Sequence, residues 1–129
     1  MPTGSANIYI VDDDSSVRRS LERVIRSANL NAFSFASADD FFQSDSETTN
    51  SCLIADAKMP ASGGLDLLSR LGKERIGMPV IVVTAHDDPK TRRDAENAGA
   101  IGYFRKPVDS EALLDAITWA LSSGEEKKH

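Results

Sequence analysis

"NIYIVDDDSSVRRSLERVI", residues 7–25, contains the junction on which the fold turns. Its first five residues, Asn7–Val11, read as a strand. After three adjacent aspartates, Val17, Leu21, Val24, Ile25 and Ala28 recur at i, i+4, i+7, i+8 and i+11, which is one face of a helix. Asp13 to Ser15 supply N-caps for that helix. The stretch is a strand handing over directly to a helix. The handover is acidic: Asp12, Asp13 and Asp14 are side by side, and like charges this close repel. Either they point into water or something offsets the repulsion.

The same unit repeats along the chain. "NAFSF" at 31–35 alternates as a half-buried or edge strand, and "SADDFF" at 37–42 opens a short helix capped by Ser37. "CLIAD" at 52–56 and "PVIVVT" at 79–84 are continuous apolar runs, the pattern of central strands buried on both faces. Between them Leu65, Leu67, Leu68 and Leu71 mark a helix closing at Gly72. Asp88 caps a polar helix over 89–98, "AIGYF" makes a fifth strand to about Arg105, and Leu113, Leu114, Ile117 and Leu121 form the stripe of a last helix. Trp119 is expected on or beside that stripe, Cys52 as a small buried hydrophobe, and "SSGEEKKH" as a fraying polar tail. Five β-then-α units imply an α/β fold: a five-stranded parallel sheet with helices on both faces, in the flavodoxin-like order 2-1-3-4-5. One domain is expected over residues 6–122, with 123–129 as a C-terminal tail.

Composition narrows the function. The chain has 129 residues, a net charge of −5 and a single cysteine. An acidic chain is a poor nucleic-acid binder, and one cysteine permits no internal disulfide. The first residues, "MPTGSAN", lack the basic and apolar segments of a signal peptide, and "PVIVV" is too short to span a bilayer. These features read as a cytoplasmic protein without a membrane segment.

In the expected sheet order, the carboxyl ends of the strands share one rim. Asp12 and Asp13 follow the first strand, Asp56 ends the third, Thr84 the fourth, and Lys106 with Pro107 follows the fifth. Each has a plain reading: helix cap, turn former, strand former, solvated charge. Together, at the ends of four different strands, they read as a site in which a hard divalent cation offsets the acids and admits an anion. His86, beyond a strand end, reads as a loop residue.

The motifs "VDDD", "DAKMP", "VVTAHDD", "AGAIGYF" and "KP", in this order, resemble the receiver domain of bacterial two-component response regulators. "SLERVI", "FASADDFF" and "CLIAD" before "KMP" are similar to the nitrogen-fixation-regulator-like subgroup. The resemblance implies that Asp56 is the phosphoacceptor and that Mg²⁺ is the cofactor. Asp13 and Asp56 would hold the metal, with Asp12 directly or through water, and with the backbone carbonyl of Lys58. Lys106 and Thr84 would contact the phosphoryl group, Thr84 and Tyr103 would form the switch, and the Lys106–Pro107 bond would be cis. Gly64 matches a family glycine. The loop "ASGG" departs from the family in lacking an apolar residue, and Lys58 and His86 occupy positions that vary. The implied activity is acceptance of a phosphoryl group from a sensor histidine kinase, with intrinsic autophosphorylation and autodephosphorylation. Implied partners are the kinase, a downstream protein or output domain and a phosphorylation-dependent dimer, with no direct nucleic-acid contact. The alternative is a haloacid-dehalogenase-like phosphatase with Asp12 as nucleophile. A flavodoxin fits worse, because its first loop should be rich in hydroxyls and glycine rather than acids.

Overall fold

The computed structural model describes residues 6–57, 67, 69–71 and 77–126. Its strands are β1 (Asn7–Val11), β2 (Asn31–Phe35), β3 (Ser51–Asp56), β4 (Val80–Thr84) and β5 (Gly102–Arg105). They form one parallel sheet in the order β2-β1-β3-β4-β5. The helices are α1 (Ser15–Ser27), α2 (Ala38–Gln43), α3 (helical at residues 67 and 69–71), α4 (Pro89–Asn97) and α5 (Ser110–Glu126).

Period-two alternation along the strands splits the core into two layers. Tyr9, Val11, Leu53, Ala55, Val80 and Val82 face one way and pack with Phe41 of α2, Leu67 and Leu71 of α3 and Ala95 of α4. Ile8, Ile10, Cys52, Ile54, Ile81 and Val83 face the other way and pack with Leu21 and Ile25 of α1 and Leu113 and Ile117 of α5. Every residue of β3 and β4 is buried, as unbroken apolar runs require, whereas in β2 at the sheet edge only Ala32 is fully buried. Removing one of the fully buried side chains, such as Ile54, costs roughly 2–5 kcal/mol if changed to alanine.

Local chemistry sets the helix ends. Asp14 caps α1 in an extended conformation and accepts from the backbone N–H groups of Ser16 and Val17. These bonds hold its carboxyl below the usual range, the Ser16 hydroxyl contributing most. Beyond α1, Asn29 turns the chain in the left-handed region at φ 64°. Asp88 caps α4 by accepting from the Thr91 N–H at 2.7 Å, and Pro89 opens the helix where no N–H is needed. Gly99, at φ 101°, makes the turn from α4 toward β5 that a side chain would resist.

At the carboxyl end of the chain one element is longer than expected and one expectation is corrected. The polar stretch from Ser122 carries α5 on through Glu126. Elongating a helix already anchored by Ile117 and Ala120 is cheap compared with nucleating one, so weak helix formers follow it. Trp119 is 57% exposed rather than packed on the stripe. It lies between Ile117 and Ala120 in sequence, but the hundred-degree step of the helix carries it to the outer face. Residues 127–129 lie outside the described residues, as do Lys58, Gly64, Leu65, Leu68 and Gly72.

Candidate functional site: an acidic rim bridged by a lysine

Because the strands are parallel, their carboxyl ends open onto one rim. Asp12 leaves β1 with its backbone N–H donating to the Phe35 carbonyl at 3.1 Å, so its side chain turns inward and is fully buried. Both of its carboxylate oxygens are engaged. Oδ1 accepts from the Asp14 N–H at 2.9 Å and Oδ2 from Lys106 Nζ at 2.7 Å. Lys106 Nζ also donates to Asp56 Oδ2 at 3.1 Å. Asp56 is the last residue of β3 and is only 7% exposed. The Lys106 backbone N–H donates to the Thr84 carbonyl at 2.8 Å, and the Lys106–Pro107 peptide is cis. Asp13 is exposed beside the buried pair.

Carboxylate oxygens of Asp12, Asp13 and Asp56 lie within 4.8 Å of one another. At that spacing each pair of ionised carboxylates repels by roughly 3 kcal/mol at an effective dielectric of 20. One ammonium cannot balance three such groups. Burial works against the Lys106 charge, but the hydrogen bonds to Asp12 and Asp56 outweigh it and hold the ammonium above its ordinary pKa. The donor set is all oxygen, without thiol or imidazole, and one acid is open to water. That chemistry fits Mg²⁺, which keeps several waters and takes one or two carboxylates. Asp12, with both oxygens already engaged, is less able to bind a metal directly than the exposed Asp13.

Thr84 ends β4 and is fully buried. Its Oγ1 accepts from the His86 N–H at 3.0 Å and donates to the His86 carbonyl at 3.4 Å, so the hydroxyl is tied to its own loop. His86 itself is exposed. Tyr103 lies on β5, half-buried against the layer formed by α2, α3 and α4. Burial, followed by the Asp87 carboxylate, pushes its phenol up. The rim thus brings together Asp12, Asp13, Asp56 and Lys106. Thr84 stands at the next strand end, and Tyr103 lies on the neighbouring strand. Sequence reasoning missed Arg18, whose Nη1 donates to the Asp12 carbonyl at 2.6 Å and braces the acidic loop from α1. The only signal for it was a cation one turn into the helix.

Sheet order and rim chemistry define the class: a CheY-like receiver. The solved CheY-like receiver domain protein from Methanospirillum hungatei JF-1 is similar at TM-score 0.84 and 28% identity, covering 96% of this chain and 99% of that one. Within that class, residues 8–118 match the response regulator receiver domain, and the chain belongs to this family. Nodulation protein W of Bradyrhizobium diazoefficiens is 39% identical over 116 residues, 89% of this chain and 51% of that protein. The crystal structure of FixJ-N is similar at TM-score 0.83 and 32% identity, covering 93% of this chain and 96% of that one. These relatives agree with the nitrogen-fixation-regulator-like subgroup that the motifs resemble. The chain spans about half the length of the first curated relatives it matches, 51% to 55%. It is a receiver domain of two-component signalling, its relatives are response regulators, and the phosphatase alternative is set aside. Among the described residues no helix is long and apolar enough to cross a membrane.

Proposed function

We propose that Asp56 accepts a phosphoryl group from a phosphohistidine of a sensor histidine kinase, and that the aspartyl phosphate switches a protein-interaction surface. The observation that carries this reading is the Lys106 ammonium, 2.7 Å from Asp12 and 3.1 Å from Asp56, in a rim of three converging carboxylates. A carboxylate oxygen of Asp56 attacks phosphorus, the O–P bond forms, and the P–N bond breaks. The imidazole leaves with the electron pair and takes up a proton. Lys106 neutralises charge on the phosphoryl oxygens and, bonded to Asp56, holds its carboxylate in place. Asp13 and Asp56 would hold Mg²⁺, with Asp12 directly or through water and with the Lys58 carbonyl. When bound, the metal supplies charge neutralisation at the equatorial oxygens. Water in line behind phosphorus later attacks it, the O–P bond to Asp56 breaks, inorganic phosphate leaves and Asp56 returns to a carboxylate, so the domain catalyses its own phosphorylation and dephosphorylation.

The Thr84 hydroxyl then turns from His86 to a phosphoryl oxygen, Tyr103 moves into the space released, and the surface of α4, β5 and α5 changes. A kinase and a downstream protein or output domain are the partners, with a dimer formed on phosphorylation. A net charge of −5, made more negative by phosphate, argues against direct DNA contact. Residues 6–122 form the working unit, and the setting is cytoplasmic. Incubation with acetyl phosphate and Mg²⁺ tests this: intact-mass spectrometry should find one added phosphoryl group in the parent and none in Asp56→Asn. Equal labelling of the two proteins would refute it.

A further inference from the structure

Arg92, on α4, places its guanidinium carbon 4.5 Å from the centre of the Tyr103 ring. The same group pairs with Asp87 at 3.4 Å. Asp87 follows His86, whose backbone N–H and carbonyl both bond the Thr84 hydroxyl. An unbroken path therefore runs from the end of β4 to β5: Thr84 hydroxyl, His86 backbone, Asp87 carboxylate, Arg92 guanidinium, Tyr103 ring.

Each link has two settings. A threonine hydroxyl has one hydrogen. While it is donated to the His86 carbonyl it cannot be donated at the rim, so any turn of Thr84 toward the rim releases the loop that carries Asp87. Tyr103 is held against a cost. Its hydroxyl is buried without a hydrogen bond of normal geometry among the described residues, the Asp87 carboxylate that pushes its phenol up satisfying it only poorly, which favours leaving this arrangement. The Arg92 contact on the ring face opposes that departure. Asp87 aims the guanidinium: without it, a long side chain half open to solvent would sample other rotamers.

We infer that Arg92 is a positioning residue which, aimed by Asp87, latches Tyr103 in its unphosphorylated arrangement and couples it to Thr84. The inference rests on the phosphoacceptor reading above and adds to it the element that sets the resting bias of the switch. An exposed cation–π contact and a solvent-facing ion pair are individually weak. Together they tune an equilibrium between two arrangements rather than lock one, which is what a switch requires.

The chain has two tyrosines, Tyr9 and Tyr103. Ring-labelled tyrosine therefore gives one reporting signal and one internal reference, Tyr9, which is 3% exposed on β1. Tyr103 ring resonances, Tm and the rate of phosphorylation by acetyl phosphate with Mg²⁺ are measured for the parent, Arg92→Ala, Arg92→Lys, Asp87→Asn and the double variant. Arg93→Ala, an exposed cation on the same helix, is the control. Before any donor is added, Arg92→Ala should move Tyr103 toward its phosphorylated position. The phosphorylation rate should rise by the same factor, roughly three- to tenfold. Lysine at this position should restore most of the parental position, and Arg93→Ala should match the parent. Asp87→Asn should move Tyr103 in the same direction, and less than additively with Arg92→Ala. An Arg92→Ala variant that lowers Tm while leaving the Tyr103 resonances parental would overturn the latch. A parent that takes up no phosphoryl group would instead overturn the phosphoacceptor reading, so the two failures are distinguishable.

Discussion

Replacing Lys106 by methionine removes one ammonium and keeps most of the side-chain volume, so its effect isolates the charge. In the parent, that ammonium lies between Asp12 and Asp56, with side-chain exposures of 17%, 1% and 10% for Lys106, Asp12 and Asp56. Removing one partner of a buried ion pair costs about 3–5 kcal/mol. The lower end applies here, because Asp12 keeps its bond from the Asp14 N–H and the rim is open at Asp13. In buffer containing a chelator, Lys106→Met should therefore lose about 3 kcal/mol, a Tm decrease of roughly 12 °C for a domain of this size. A divalent cation can relieve the same repulsion, so the variant should bind Mg²⁺ roughly tenfold more tightly than the parent and regain about 1.4 kcal/mol more from it. Urea unfolding with and without Mg²⁺ measures both quantities. A variant within about 0.5 kcal/mol of the parent in chelator, with unchanged Mg²⁺ affinity, would show that Lys106 does not bridge the acids.

Three further outcomes follow from the same geometry. Asp13→Ala should weaken Mg²⁺ binding at least tenfold by calorimetry, because the open acid is the one free to exchange water for metal; affinity equal to the parent would contradict that ligand set. Because the Lys106 pKa is raised in the folded state, its stabilising contribution is complete below the unfolded value and disappears as pH rises through the folded one. Above neutral pH, the stability difference between parent and Lys106→Met should accordingly hold until strongly alkaline solution and shrink there. Tyr9 and Tyr103, both pushed up mainly by burial, add the same alkaline decline to both proteins and cancel. Cys52 is buried, its thiol pushed up to about 12, so it should resist thiol reagents at pH 8 until urea opens the sheet; rapid labelling of the folded protein would contradict the position of β3.

The sheet was legible because its signals are local. β1 falls on the five residues Asn7–Val11 that read as a strand, and the two unbroken apolar runs are the two fully buried strands, shifted by one residue at their starts to Ser51 and Val80. The rim was legible because parallel strands send their carboxyl ends to one side, so a list of strand-end residues is already a list of neighbours. What escaped the sequence depends on where long or rotatable side chains go. That Arg18 reaches the Asp12 carbonyl and Arg92 the Tyr103 ring follows from rotamers that spacing does not specify. That the Thr84 hydroxyl serves His86 rather than the rim depends on one torsion angle. Trp119 failed for a different reason: chemical type suggested burial, while its angular position on α5 faces solvent.

The central claim is that Asp56, among three acids within 4.8 Å of one another, is the one that takes the phosphoryl group. Borohydride reduces an aspartyl phosphate to homoserine, which marks the site through proteolysis and peptide sequencing by mass spectrometry. After treatment with acetyl phosphate and Mg²⁺, homoserine is expected at position 56 alone, and at no position in Asp56→Asn. Homoserine at position 12 or 13 in the parent would contradict the account.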